Sequence, residues 1–126
     1  MKIVIGIAAA GFLGAIARYG IGAIPLGEGA EPFPWATLFI NMSGSFLLGW
    51  LTGALTRGKV SPAIAEVAGT GFLGAYTTFS AFNGQLWQLL EQDAYGLAAV
   101  YVLLSGVGGW WLASIGLSKG RGVQRG

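Results

Sequence analysis

The sequence contains no cysteine and no histidine. Disulfides, thiol nucleophiles, imidazole bases and most transition-metal sites are thereby excluded, and an enzyme is disfavoured because the five acidic residues fall mostly between apolar runs. Charge is scarce as well. Asp, Glu, Lys and Arg make up 10% of the 126 residues, where a soluble domain carries about a quarter. Proline is limited to 4 residues beside 23 glycines with no Gly-X-Y period, so the glycine fits closely packed membrane helices rather than collagen or a linker. What is abundant is apolar: 54% of the chain is hydrophobic. The net charge of +2 is spread between and after the apolar runs, a pattern that points to a membrane surface and away from nucleic acid.

Four apolar stretches of about 20 residues are separated by short polar breaks, and each can cross the hydrocarbon layer as a helix. The first runs from Ile3 to about Ile24 and carries one charge, Arg18. Pro25 to Pro34, with Glu28, Glu31 and three prolines, reads as a loop, and Trp35 stands where an interfacial aromatic belongs. The second span, Trp35 to Thr56, is uncharged but holds Asn41, Ser43 and Ser45, and is followed by Arg57, Gly58 and Lys59. Ser61-Pro62 reads as the cap and first residue of a third span reaching about Leu90. Gly69, Gly71, Gly74, Thr77 and Thr78 lie in its middle, the composition of an interrupted helix. Glu91 and Asp93 mark a loop, Tyr95 to Leu117 forms the fourth span, and Lys119 to Gly126 is a basic tail. The expected fold class is all-α integral membrane, with four transmembrane helices in one unit (spans about 3–24, 35–56, 62–90 and 95–117) and the third helix broken. Lys2 and the run to Ala17 also resemble the n- and h-regions of a signal peptide, but nothing downstream reads as a soluble mature domain.

At helical spacing, Gly6, Ala10, Gly14, Arg18 and Gly22 share one stripe, Asn41, Ser45, Gly49 and Gly53 a second, and Tyr101, Ser105, Gly109 and Ala113 a third. Small residues four apart let helix backbones approach closely, which in lipid replaces the missing hydrophobic drive. Arg18 and Asn41 need a further explanation. An Arg at mid-membrane costs about 2.5–3.5 kcal/mol on insertion scales, so both should face protein or water. Asn41 by itself fits either an interhelical hydrogen bond or a site in a water-filled path. Four short helices barely enclose such a path, so a second subunit is expected. Lys2, Arg57, Lys59, Lys119, Arg121 and Arg125 fall on one side and only Arg18 on the other, which predicts both termini in the cytoplasm.

The third span contains Gly71-Phe72-Leu73-Gly74-Ala75-Tyr76-Thr77-Thr78-Phe79-Ser80-Ala81-Phe82, which resembles the G-F-L-G-G-x-T-T-F-S-T-F signature of the Fluc (CrcB) fluoride channels. Gly14-Ala15-Ile16-Ala17-Arg18 resembles that family's first-span G-A-x-x-R, and Thr37-Leu38-Phe39-Ile40-Asn41 its T-x-x-x-N. The four-span plan extends the likeness over nearly the whole chain. The resemblance implies passive fluoride export that limits toxicity, a multi-pass protein of the cell (inner) membrane, and an antiparallel, dual-topology dimer with two pores and one central structural Na+ ion. By position, Asn41 and Ser80 would be pore hydrogen-bond donors, Phe79 and Phe82 the pore aromatics, Tyr101 a pore-lining residue and Arg18 the basic residue of the vestibule. Gly74 and Thr77 would offer backbone carbonyls to the sodium.

These roles are chemically coherent. Fluoride is small and strongly hydrated, so a pore must replace its water with donors such as an amide or a hydroxyl. The ring edge of Phe is electropositive and can also face an anion. Phe79 and Phe82, three apart, share a helical face. A hard cation takes oxygen ligands, which an interrupted helix can supply from its main chain.

The chain departs from the family's pattern at Gln85, where many members carry Glu, at Ala81 in place of Thr, and at Ala75 in place of Gly. By the resemblance, the first removes a carboxylate and the second a hydroxyl beside the pore, changes that bear on rate more than on selectivity. The one-sided basic residues also sit uneasily with a subunit that inserts both ways. A homodimer and a heterodimer with an oppositely oriented paralogue are both compatible with the sequence. Two other functions compete. A small multidrug-type, proton-coupled exporter shares size and span number but needs a carboxylate within a span, for which Glu66, near the start of the third, is the sole candidate. An accessory membrane subunit without transport of its own is the other.

Overall fold

The structure is a computed structural model describing residues 1–24 and 33–122. Most of the expected 25–34 loop, with Glu28 and Glu31, lies outside the described residues, as does Arg125. Among the described residues all regular structure is helical, as lipid demands of a backbone with no water to satisfy it. Helix α1 spans Lys2–Gly22 and α2 Trp35–Thr56. The third span is composite: α3 (Pro62–Glu66), a π-helical stretch Val67–Leu73 and α4 (Gly74–Tyr76) end at a break over Thr77 and Thr78, after which α5 runs Phe79–Glu91. The fourth consists of α6 (Tyr95–Leu103), a π-helical stretch Leu104–Gly108 and α7 (Gly109–Arg121). Helices α1 and α2 and the continuous run Tyr95–Arg121 are each long and apolar enough to cross a membrane, and the broken span lies among them. The chain is a multi-pass membrane protein.

Local signals fix the ends. Ser61 Oγ accepts the Ile64 amide at 3.3 Å with Pro62 in the first turn, a side-chain cap. At the end of α2, Gly58 takes φ 67°, and the Gly58 and Lys59 amides donate to the Leu55 and Ala54 carbonyls. This left-handed reversal suits glycine because it has no Cβ.

The four spans associate as two parallel pairs. Helix α1 lies along the third span: Gly14 meets the Phe72 carbonyl, and a Cβ on Gly71 would stand 2.7 Å from the Ile7 carbonyl oxygen. Helix α2 lies along the fourth span in the most extensive contact of the subunit. There Gly49 and Gly53 face the Ala113 and Leu117 carbonyls, and Gly116 and Gly120 face those of Phe46 and Trp50, with no room for a Cβ at any of the four. Contacts with backbone oxygens on both sides mean that the two helices touch main chain to main chain, the packing that small residues permit in lipid. The seam explains why α7 continues to Arg121, beyond the expected end at Leu117. Lys59 Nζ closes it by donating to the Gly120 carbonyl at 3.1 Å, a cation at a helix C-terminus. Large apolar side chains such as Phe12 and Trp110 point outward, as lipid contact allows.

Candidate functional site

The break in the third span is held by one side chain of α2. Asn41 Nδ2 donates to the Thr78 carbonyl at 2.9 Å, and the Thr78 amide donates to Asn41 Oδ1 at 2.8 Å. The primary amide thus pairs with the peptide groups of Thr78 much as a neighbouring strand would, and buried peptide groups need such partners. A continuous helix would aim the Thr78 amide at the Gly74 carbonyl; here that donor is turned toward Asn41. An Asn amide has two N–H donors, and the Thr78 carbonyl uses one. Asn41 therefore makes the interhelical hydrogen bond, which uses one of its two N–H groups.

Helix α5 starts afresh beyond the break. Thr78 Oγ1 accepts the Ala81 amide at 3.2 Å and lies 3.3 Å from Ser80 Oγ. The hydroxyl is an N-cap, and it leaves Phe79 and Ser80 at the positive end of a 13-residue helix. The rings of Phe79 and Phe82 lie near-parallel, with centroids 5.9 Å apart and planes 23° from parallel. Phe79 is 75% exposed, whereas Phe82 is partly buried and leans on Tyr101 at 5.0 Å.

Two cavities flank the break and share Thr78 as a wall. The larger, about 500 Å³, is bordered by Asn41 and Ser45 of α2, by Gly74, Thr77, Phe79 and Phe82 of the third span, and by Ser105 of the fourth. The other, about 440 Å³, is bordered by Arg18, Thr37, Thr78 and Ser80. It joins a guanidinium to the positive end of α5, an electropositive recess. Ser80 thus sits on the Arg18 side of the break, and Asn41, Phe79 and Phe82 on the other.

Gly74 and Thr77, the residues expected to offer carbonyls to sodium, both border the larger cavity. No cluster of three or more acidic, Cys or His side chains is present among the described residues. The available oxygens are neutral, and the Gly74 carbonyl has lost its helical donor to Asn41. This donor set fits a monovalent hard cation, which takes neutral oxygens.

Tyr101 is placed differently from the other expected residues. It is 0% exposed, packed among Phe33, Leu38, Leu89 and Ala98, and its hydroxyl donates to Gln85 Oε1 at 3.1 Å. It borders neither cavity, although its ring supports Phe82. One turn further on, Ser105 does border the larger cavity, and its Oγ is buried with no hydrogen-bond partner among the described residues. An unpaired buried hydroxyl costs about 1–3 kcal/mol, which a polar ligand would offset. Its signal in the sequence was its place four residues after Tyr101 on the small-residue stripe.

The family model for "CrcB-like protein, Camphor Resistance (CrcB)" matches residues 5–117. The chain is 46% identical over 101 residues to "Fluoride-specific ion channel FluC 2" of Geobacillus kaustophilus, covering 79% of this chain and 78% of that one. To "Fluoride-specific ion channel FluC 1" of Desulfitobacterium hafniense it is 41% identical over 113 residues, 89% and 97% of the two chains. To the FluC 1 protein of Bacillus cereus it is 40% identical over 119 residues, 94% and 85%. With matching spans and a broken helix carrying the motif, the chain belongs to the CrcB family.

Proposed function

We propose that this chain is a subunit of a fluoride-selective channel that lets cytoplasmic fluoride leave passively across the cell (inner) membrane. The observation that carries this reading is the break pinned by Asn41, with anion-compatible donors on both sides of it. Arg18 and the start of α5 would draw the anion into the smaller recess, where Ser80 offers a hydroxyl. The free N–H of Asn41, the edges of Phe79 and Phe82, and Ser105 continue the donor series in the larger cavity. Each of these groups can stand in for a water of the hydrated ion, and none carries a negative charge. Gln85, in place of the Glu common in the family, keeps the neighbourhood of Phe82 neutral.

The functional unit is an antiparallel dimer, formed with a second copy or with an oppositely oriented paralogue. The larger cavity, lined by Asn41, Gly74, Thr77 and Phe79, would be completed by that partner. A sodium ion held by the Gly74 and Thr77 carbonyls would cross-link the two broken helices and supply structure rather than transport. The competing exporter needs a carboxylate in the translocation path. Glu66 instead lies exposed beside Pro62 and Ala65 and borders neither cavity.

Purified protein in fluoride-loaded liposomes provides the test. On addition of a potassium ionophore, an external fluoride electrode should record fast efflux, while chloride-loaded vesicles should remain silent. Efflux no faster than from protein-free vesicles would overturn the reading.

A further inference from the structure

Three consecutive residues at the break straddle α2. On the side of the larger cavity, the Thr78 peptide pairs with Asn41. In the middle, the Thr77 methyl rests on Gly44, where a Cβ would collide with it. On the far flank, the Tyr76 ring is buried in a cluster with Ile40, Leu51 and Leu73 and stacks on Phe72 at 5.8 Å. Its hydroxyl lies 2.9 Å from Ser43 Oγ. The one proton of Ser43 goes to the Ile40 carbonyl at 3.1 Å, which leaves Tyr76 as the donor of the pair. Asn41 and Ser43 are two residues apart, hence about 200° around the helix, so the grips lie on opposite flanks of α2. One attachment would let the break roll about the α2 axis. Two attachments on opposite flanks fix its rotation.

We propose that the Tyr76–Ser43 hydroxyl pair is a positioning latch for the conduction pathway: it sets the rotational register of the helix break on α2, and with it the placement of Phe79, Ser80 and Phe82, without meeting the anion. Tyr76 borders neither cavity, so its influence on transport must pass through the backbone it anchors. This inference rests on the fluoride-channel reading, and the two can fail separately.

The test compares Tyr76→Phe, Ser43→Ala, the double variant and Ser43→Thr with the parent chain, as fluoride efflux per reconstituted protein. Tyr76→Phe and Ser43→Ala should each slow efflux about tenfold or more, corresponding to roughly 1.4 kcal/mol. The double variant should be no slower than the slower single one, because each change removes the same contact. Ser43→Thr, which keeps a hydroxyl able to accept from Tyr76, should restore near-parent efflux, a rescue that loss of general packing would not give. Should Tyr76→Phe fail to fold, Ser43→Ala and its Thr rescue decide alone. Parent-like efflux from either single variant, multiplicative losses in the double, or no rescue by Thr would overturn the latch. A silent parent chain would overturn the channel reading and the latch with it, whereas an active parent with fully active single variants overturns the latch alone.

Discussion

At the scale of single residues, Asn41 holds the break through both polar atoms of its amide, and the proposed pore role asks its second N–H to meet the anion. Asn41→Ala strands the Thr78 amide and carbonyl at about 1–3 kcal/mol each, and a lowered melting temperature in detergent together with lost efflux is expected. Asn41→Asp keeps an acceptor for the Thr78 amide but removes the donor and adds a negative charge that repels an anion. It should fail to conduct fluoride; conduction at the parent rate would show that the amide donor is not used. Phe79 gives a cleaner division, because its ring is mostly exposed and contributes little to the subunit core. Phe79→Ile should abolish conduction and leave the melting temperature and oligomeric size unchanged. How much of the site was legible in the sequence depended on the kind of contact. The motif marked Phe79, Ser80 and Phe82, and a polar Asn41 within an uncharged span demanded a partner. The partner itself, a peptide group 37 residues away, left no spacing to read. Nor did the sequence show that Tyr101 turns inward to Gln85 while Ser105 meets the cavity.

At the scale of elements, the spans were visible because a membrane requires long apolar runs, and the interruption because Gly69, Gly71, Gly74, Thr77 and Thr78 are poor company for a continuous helix. The extent of α7 was not visible: Lys119 and Arg121 look like a tail until Gly116 and Gly120 are seen against the Phe46 and Trp50 carbonyls. This seam makes a quantitative demand. Gly116→Val places side-chain atoms where backbone already sits on both helices, and overpacking of this kind typically costs about 1–3 kcal/mol. Its melting temperature in detergent should fall well below that of Gly106→Ala, a glycine with open space around its Cβ position. Equal stability of the two variants would mean that α2 and the fourth span are not in contact as described. At the end of α2, Gly58→Ala forces a Cβ into the left-handed region at about 1–2 kcal/mol, a loss readable in the same melt.

At the scale of the whole molecule, Lys2, Arg57, Lys59, Lys119 and Arg121 gather at one end of the helices, and Glu91 and Asp93 lie at the other. The bias of basic residues sets orientation in the membrane. Single cysteines introduced at Lys2 and at Lys119, into a chain that has none of its own, report the orientation through their reaction with an impermeant maleimide, and both should label from the same side or sides. Labelling from one side alone, with no paralogue present, would remove the proposed homodimer, whereas labelling from both sides would show that the chain inserts both ways. In the proposed channel the anion crosses by exchanging water for amide, hydroxyl and aromatic-edge contacts around the break. The most direct measurement is the current through a planar bilayer containing the purified protein, with a fluoride gradient opposed by a chloride gradient. A fluoride-selective path gives a current that reverses at the fluoride equilibrium potential; a reversal displaced toward that of chloride, or no current at all, would rule such a path out.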